Sequence, residues 1–104
     1  MNDLRIVTNY RDTVFLIHTI QTQIAWNIRH GLSVLALSGQ VRELSGELLH
    51  FEDILAGIPD IRTRNVICCR YALGMNLHNT ADYIGLSART VERICSATLR
   101  QLQE

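Results

Sequence analysis

Seven apolar residues, Val34, Leu37, Val41, Leu44, Leu48, Phe51 and Leu55, recur at steps that alternate between three and four without a miss. That rhythm is one face of an α-helix and does not fit the period of two that a half-buried strand needs. An earlier series, Tyr10, Val14, Ile17, Ile24 and Ile28, with polar Gln21 at its middle place, keeps the same spacing. Thr8 or Asn9 can cap its start, Arg29 and His30 suit a helix C-terminus, and Gly31 closes it. Two helices joined by a short turn near Gly31 are expected to lie antiparallel, so residues 1–57 read as a helical hairpin. The echo Leu37-Ser38-Gly39 and Leu44-Ser45-Gly46 keeps both glycines off the apolar stripe. Each glycine costs about 1 kcal/mol of helix propensity against alanine, so the stripe needs packing to hold.

Two coverings of that stripe are open. The helices of the hairpin can bury each other, or the stripe can pair with a second chain as heptads do. Phe15, Leu16, Ile20, Trp26, Leu35, Leu49 and Ile54 are further apolar residues off the stripe, more than two helices alone can cover. A homodimer through Val34, Leu37, Val41, Leu44, Leu48, Phe51 and Leu55 is the expectation.

Composition sets limits on the rest. Ten cations balance ten acids, so bulk attraction to nucleic acid is absent, and every cation is arginine. Residues 1–58 carry four arginines and six acids, whereas residues 59–104 carry six arginines and four acids. The single proline, in Gly57-Ile58-Pro59-Asp60, stands at that change of sign. Proline disfavours helix at the residue before it and fits the first turn of a helix after it, which places a boundary between units 1–57 and 58–104. Cys68, Cys69 and Cys95 are odd in number and form no Cys-x-x-Cys pair, and His18, His30, His50 and His78 are scattered singly. Neither a disulfide framework nor a metal site is expected, and no cofactor. Met1 to Arg11 lack the form of a signal peptide, and the apolar runs fall short of a membrane span, so a cytoplasmic location with no membrane partner is expected.

The C-terminal unit reads as three helices. Asp60 can cap a helix from Ile61 to Leu73, with Val66, Ile67 and Tyr71 inward and Gly74 as its stop. Asn76 can cap a short helix from Leu77 to Ile84, Gly85-Leu86 makes a tight turn, and Ser87 caps a last helix carrying Val91, Ile94, Leu99 and Leu102. Two helices joined by three or four residues that include glycine form the helix-turn-helix pattern, and Ala81 stands where they cross. The fold class expected is all-α.

The run Arg64-Asn65-Val66-Ile67, Arg70-Tyr71-Ala72-Leu73-Gly74, Ala81-Asp82-Tyr83-Ile84-Gly85-Leu86-Ser87-Ala88-Arg89-Thr90-Val91 and Leu99-Arg100-Gln101-Leu102 resembles region 4 of the sigma-70 family. It is equally similar to small phage-type transcriptional regulators of the ArpU and RinA kind, and LuxR-type effector domains share the motif Gly-Leu-Ser-x-x-Thr-Val. The resemblance implies a DNA-binding helix-turn-helix over 58–104, encoded by a phage or mobile element. RNA polymerase, sigma or anti-sigma proteins are the alternative partners that such a fold also serves. The chain departs from the pattern at Asn79 and Thr80, where the family commonly has an acidic residue followed by Ile or Val.

On a recognition helix 88–101 lying in the major groove, Ala88, Arg89, Thr90, Glu92 and Arg93 are the candidate base contacts. Arginine reads guanine O6 and N7 with two bonds, glutamate accepts from cytosine N4, and threonine can meet a thymine methyl. Asn76, His78 and Ser87, near helix N-termini, and Arg100 are the candidate phosphate contacts. A sequence-specific reader of double-stranded DNA is therefore expected. No catalytic residue is assigned, because no nucleophile-base pattern or phosphate loop is found.

Overall fold

The computed structural model describes residues 2–103, and its regular structure is entirely helical among those residues. The helices are α1 (Asp3–Thr8), α2 (Tyr10–Arg29), α3 (Leu35–Ala56), α4 (Ile61–Ile67), α5 (Leu77–Ile84) and α6 (Ala88–Gln103). α4 runs on without a break into a π-helical turn, Cys68–Ala72. Among the described residues no helix is long and apolar enough to cross a membrane.

The molecule measures 53 × 28 × 17 Å, and α2 and α3, of 20 and 22 residues, each span about 30–33 Å. The Thr13 hydroxyl donates to Glu47 at 3.5 Å, and the Asn27 amide donates to the Ser33 carbonyl at 3.0 Å. These contacts pair the start of α2 with the middle of α3, and the end of α2 with the turn before α3. Gly31, at φ 68°, supplies the left-handed residue that the turn requires. Thr13, Ile17 and Ile20 on α2 are buried, yet Val34, just before α3, and Leu37, Val41, Leu44 and Leu48 on it are only half-buried. A stripe covered by a single neighbouring helix loses water from one side only.

The residue furthest from that description is Phe51. It is 2% exposed and lies with Ile6, Val7 and Ile67 in a core shared by α1, α3 and α4. Tyr10 packs on it with ring centroids 4.1 Å apart, and Leu55 is half-buried against the same cluster. Phe51 and Leu55, expected on a surface for a second copy, thus make contacts within the chain. The same core reaches Leu99 and Leu102 of α6, so packing continues across the Gly57–Asp60 turn that the charge pattern marks. A second core of Val66, Ala81, Val91 and Cys95 joins α4, α5 and α6, with Tyr71 packed against both clusters.

Two local readings are revised. The helix expected after Asn9 does begin at Tyr10, but an unexpected helix, α1, precedes it, capped by Asn2, whose side-chain oxygen accepts from the Arg5 N–H at 3.2 Å. Asn9 makes no side-chain cap bond for α2. α1 is fastened to α3 by Arg5 Nη2 to Glu47 Oε1 at 3.2 Å and by His50 Nε2 to Asp3 Oδ1 at 2.6 Å. The helix expected over 61–73 widens at its end, where the Leu73 N–H donates five residues back to the Cys68 carbonyl at 2.9 Å. Its start is as expected, with Asp60 accepting from the Thr63 hydroxyl at 2.7 Å and the Thr63 N–H at 3.1 Å. Those two bonds hold the Asp60 carboxyl below its ordinary value. The contribution of this cap is therefore present at neutral pH and lost as pH falls through that lowered value.

Truncating the buried ring should be costly where truncating an exposed neighbour is not. Phe51→Ala should lower unfolding stability by about 3–5 kcal/mol, whereas Leu49→Ala should change it by under about 0.5 kcal/mol. Leu49, two residues earlier, is 62% exposed. Urea denaturation followed by circular dichroism checks both, and equal effects would contradict a core centred on Phe51.

Candidate nucleic-acid interface

α5 and α6 are set at their angle by three small devices. Asn76 Oδ1 accepts from the Asn79 N–H at 2.7 Å and starts α5. Gly85, at φ 83°, ends it, with the Gly85 and Leu86 N–H groups donating to the Ala81 carbonyl at 2.8 and 3.0 Å. Ser87 Oγ then accepts from the Thr90 N–H at 3.1 Å and opens α6. Val91, Cys95 and Thr98 bury one face of α6, and Ile94, Leu99 and Leu102 flank it half-buried.

The opposite face of α6 carries Ala88, Arg89, Glu92, Arg93 and Ser96, all exposed. Arg89 and Arg93 are one turn apart, a rise of about 6 Å along the axis. Neither forms an ion pair with a carboxylate among the described residues, although Glu92 lies between them in sequence. Two unpaired guanidinium groups on the first two turns of a seated helix offer ten N–H donors to a ligand of matching geometry.

The other expected contacts are placed less simply. The Ser87 hydroxyl donates to Thr90 Oγ1 at 2.8 Å, which leaves the Thr90 hydroxyl proton without a partner among the described residues. What Ser87 leaves available is the row of backbone N–H groups in the first turn of α6. Asn76 uses its carbonyl oxygen for the cap and keeps its amide free. His78 is exposed and sits 3.3 Å from Asp82 one turn on, a partner that offsets its charge when the ring is protonated. Arg100 is exposed three turns beyond Arg89, about 16 Å along the helix, and is not grouped with the pair.

Two further arginines, with no role expected from their spacing, brace turns. Arg64 Nη2 donates to the Ile58 carbonyl at 2.7 Å and braces the Gly57–Asp60 turn. Arg70 Nη1 donates to the Met75 carbonyl at 2.7 Å, with its guanidinium 6.0 Å from the Tyr71 ring centre. It thereby fixes the turn that leads into α5. Neither position has a sequence signal, because both fall within a helix whose apolar pattern is satisfied by its neighbours. Gly74, at φ 71° in that turn, lies directly beneath the Arg11 guanidinium of α2, where a Cβ would collide.

The buried chemistry of this half is quiet. Burial pushes the Cys68, Cys69 and Cys95 thiols up, so at neutral pH they are protonated and pack as small apolar groups. Thr80 is fully buried, and its hydroxyl has no hydrogen-bond partner among the described residues. A buried hydroxyl left unpaired costs about 1–3 kcal/mol.

A scan against protein-family models, a search of curated proteins and a search of solved structures each returned no match.

Thr80→Val keeps the branched shape and removes the stranded hydroxyl. It should raise unfolding stability by about 1 kcal/mol, measured as a higher urea midpoint with an unchanged slope. A loss of 1 kcal/mol or more would mean that the hydroxyl is satisfied.

Proposed function

We propose that the chain is a sequence-specific double-stranded DNA-binding regulator in which α5 and α6 act as a helix-turn-helix and α6 enters the major groove. The observation that carries this reading is the pair Arg89 and Arg93, exposed, unpaired among the described residues and one turn apart on the outer face of a capped helix. The resemblance of 58–104 to sigma-70 region 4 and to small phage-type regulators supports the same reading through the residues that seat α6. In this arrangement Arg89 and Arg93 each read guanine, and Ala88 leaves room for the base edges. Glu92 accepts from cytosine or orients a neighbouring arginine. Thr90 offers its methyl group to a thymine or its own hydroxyl proton to a phosphate, since its oxygen only accepts from Ser87.

Phosphate positioning falls to the first-turn N–H groups of α6 at Ser87, to the free amide of Asn76, to His78 when protonated, and to Arg100 at the far end. The excess of two arginines over acids in residues 59–104 provides a weak field, so one copy makes few phosphate contacts. Two copies held together double that number. On this reading the α2 and α3 hairpin carries no base contact and serves to present α6.

Selection of duplexes from a random pool, at about 50 and 200 mM salt, tests the proposal. The wild-type chain should enrich a motif containing guanines. Arg89→Ala and Arg93→Ala should each cost about 1–3 kcal/mol of discrimination at one position, with helix content unchanged. No enrichment at either salt would overturn the DNA reading in favour of a protein-interaction module that binds polymerase or a sigma-type partner.

A further inference from the structure

Between Asp12 and Arg29 the sequence of α2 contains no Asp, Glu, Lys or Arg. A helix face that looks into water normally carries such residues. Here the face opposite the buried Thr13, Ile17 and Ile20 is open, and it presents Phe15 at 72% and Trp26 at 44% exposure. Thr19 and Thr22 lie between them on the same stripe, at steps of four, three and four. A shallow groove follows the stripe from Phe15 to Trp26, and a second groove shares Phe15 and continues to the exposed Leu73. The first groove is lined by no Asp, Glu, Lys or Arg, whereas the second has Arg11 at its margin; large aromatic groups with charge kept to the edge are the composition of the core of a protein interface.

The order aromatic, threonine, threonine, aromatic reads the same in both directions. Two copies of α2 laid antiparallel with these stripes facing bring Phe15 onto the partner's Trp26 and Thr19 onto the partner's Thr22. A two-fold contact requires this reciprocity, since whatever one residue meets must be met in return. The threonines are small enough for the axes to approach to about 8–10 Å at the crossing, with the rings closing each end. At the rims Asp12 comes level with the partner's Arg29, opposite charges, whereas a parallel pairing would set like against like.

We propose that the chain forms a two-fold homodimer through the outer face of α2, antiparallel, with Phe15 against the partner's Trp26. This contact replaces the α3 stripe as the surface for a second copy. It stands without the DNA reading, and its test contains no DNA.

Analytical ultracentrifugation at concentrations up to about 100 μM reads the oligomeric state. The wild-type chain should sediment at twice 11.8 kDa. Phe15→Lys alone and Trp26→Glu alone should each be monomeric with wild-type helix content, because Phe15 projects into solvent and Trp26, though its ring stacks on His30 at the end of the same helix, lies outside the buried core. An equimolar mixture of the two variants should form a heterodimer, with the introduced lysine facing the introduced glutamate and a native Phe15–Trp26 contact surviving at the other end. Phe15→Ala and Trp26→Ala, which introduce no charge, should each weaken the wild-type dimer at least tenfold. A monomeric wild type, a dimer that survives these substitutions, or a mixture that stays monomeric would overturn the proposal.

Discussion

The burial of Phe51 against Ile6, Val7 and Ile67 is the contact on which the rest of the molecule depends. α3 is a long helix covered along most of its length by α2 alone, and its stripe is half-wet there. Only at its C-terminal end does the stripe meet neighbours on more than one side, and there Phe51 becomes nearly inaccessible. α1 exists because of this contact. Six residues are too few to form a stable helix in isolation, so its helicity is maintained by the burial of Ile6 and Val7 and by the Arg5–Glu47 and Asp3–His50 pairs. Through Leu99 and Leu102 the same cluster holds the far end of α6. The near end of α6 is held separately by Val91 and Cys95 on Val66 and Ala81. The proposed reading helix is thus gripped at two places along its axis, and the turns that could let it swing are braced by Arg64 and Arg70.

That rigidity has a direct bearing on recognition. A guanidinium can donate two bonds to a base edge only when its backbone is held in one position. The α6 side chains that face solvent are therefore as well placed as the inward ones allow. The chain accepts a fully buried, unpaired Thr80 hydroxyl in the helix that precedes them. Its stability cost is incurred in the scaffold, away from Arg89 and Arg93.

Much of this was legible in the sequence where a residue type has one local use. Asn76, Gly85 and Ser87 mark the ends of α5 and the start of α6, because capping and a positive φ are decided by two or three neighbours. The outward set on α6 follows from helical period alone. α1 was not legible, since Ile6 and Val7 are adjacent and establish no period, and their burial depends on Phe51 and Ile67 far along the chain. Phe51 itself sits on the stripe in perfect step with Leu44 and Leu48. Periodicity identifies a covered face but not which neighbour covers each part of it. The π-helical turn at Cys68–Ala72 had no signature either. For α6, spacing left open whether Arg89 and Arg93 pair with Glu92, and only coordinates could leave both unpaired.

The two proposed surfaces lie on different elements, and what links them is intrachain packing. The root of α2 enters the core through Tyr10 on Phe51, and Arg11 lies over Gly74 in the turn that leads to α5. Its outer face, with Phe15 and Trp26, starts one turn further along the same rigid helix. Any two-fold contact made there sets the distance and angle between two copies of α6 through these few junction residues. The spacing between half-sites on DNA would then be written into the packing of Tyr10, Phe51 and Arg11, none of which touches a base. A substitution that loosens this junction without unfolding either part should relax the spacing requirement while leaving each half-site sequence unchanged. Such an effect separates the transmission of geometry from the reading of sequence, which a change at Arg89 or at Phe15 cannot do.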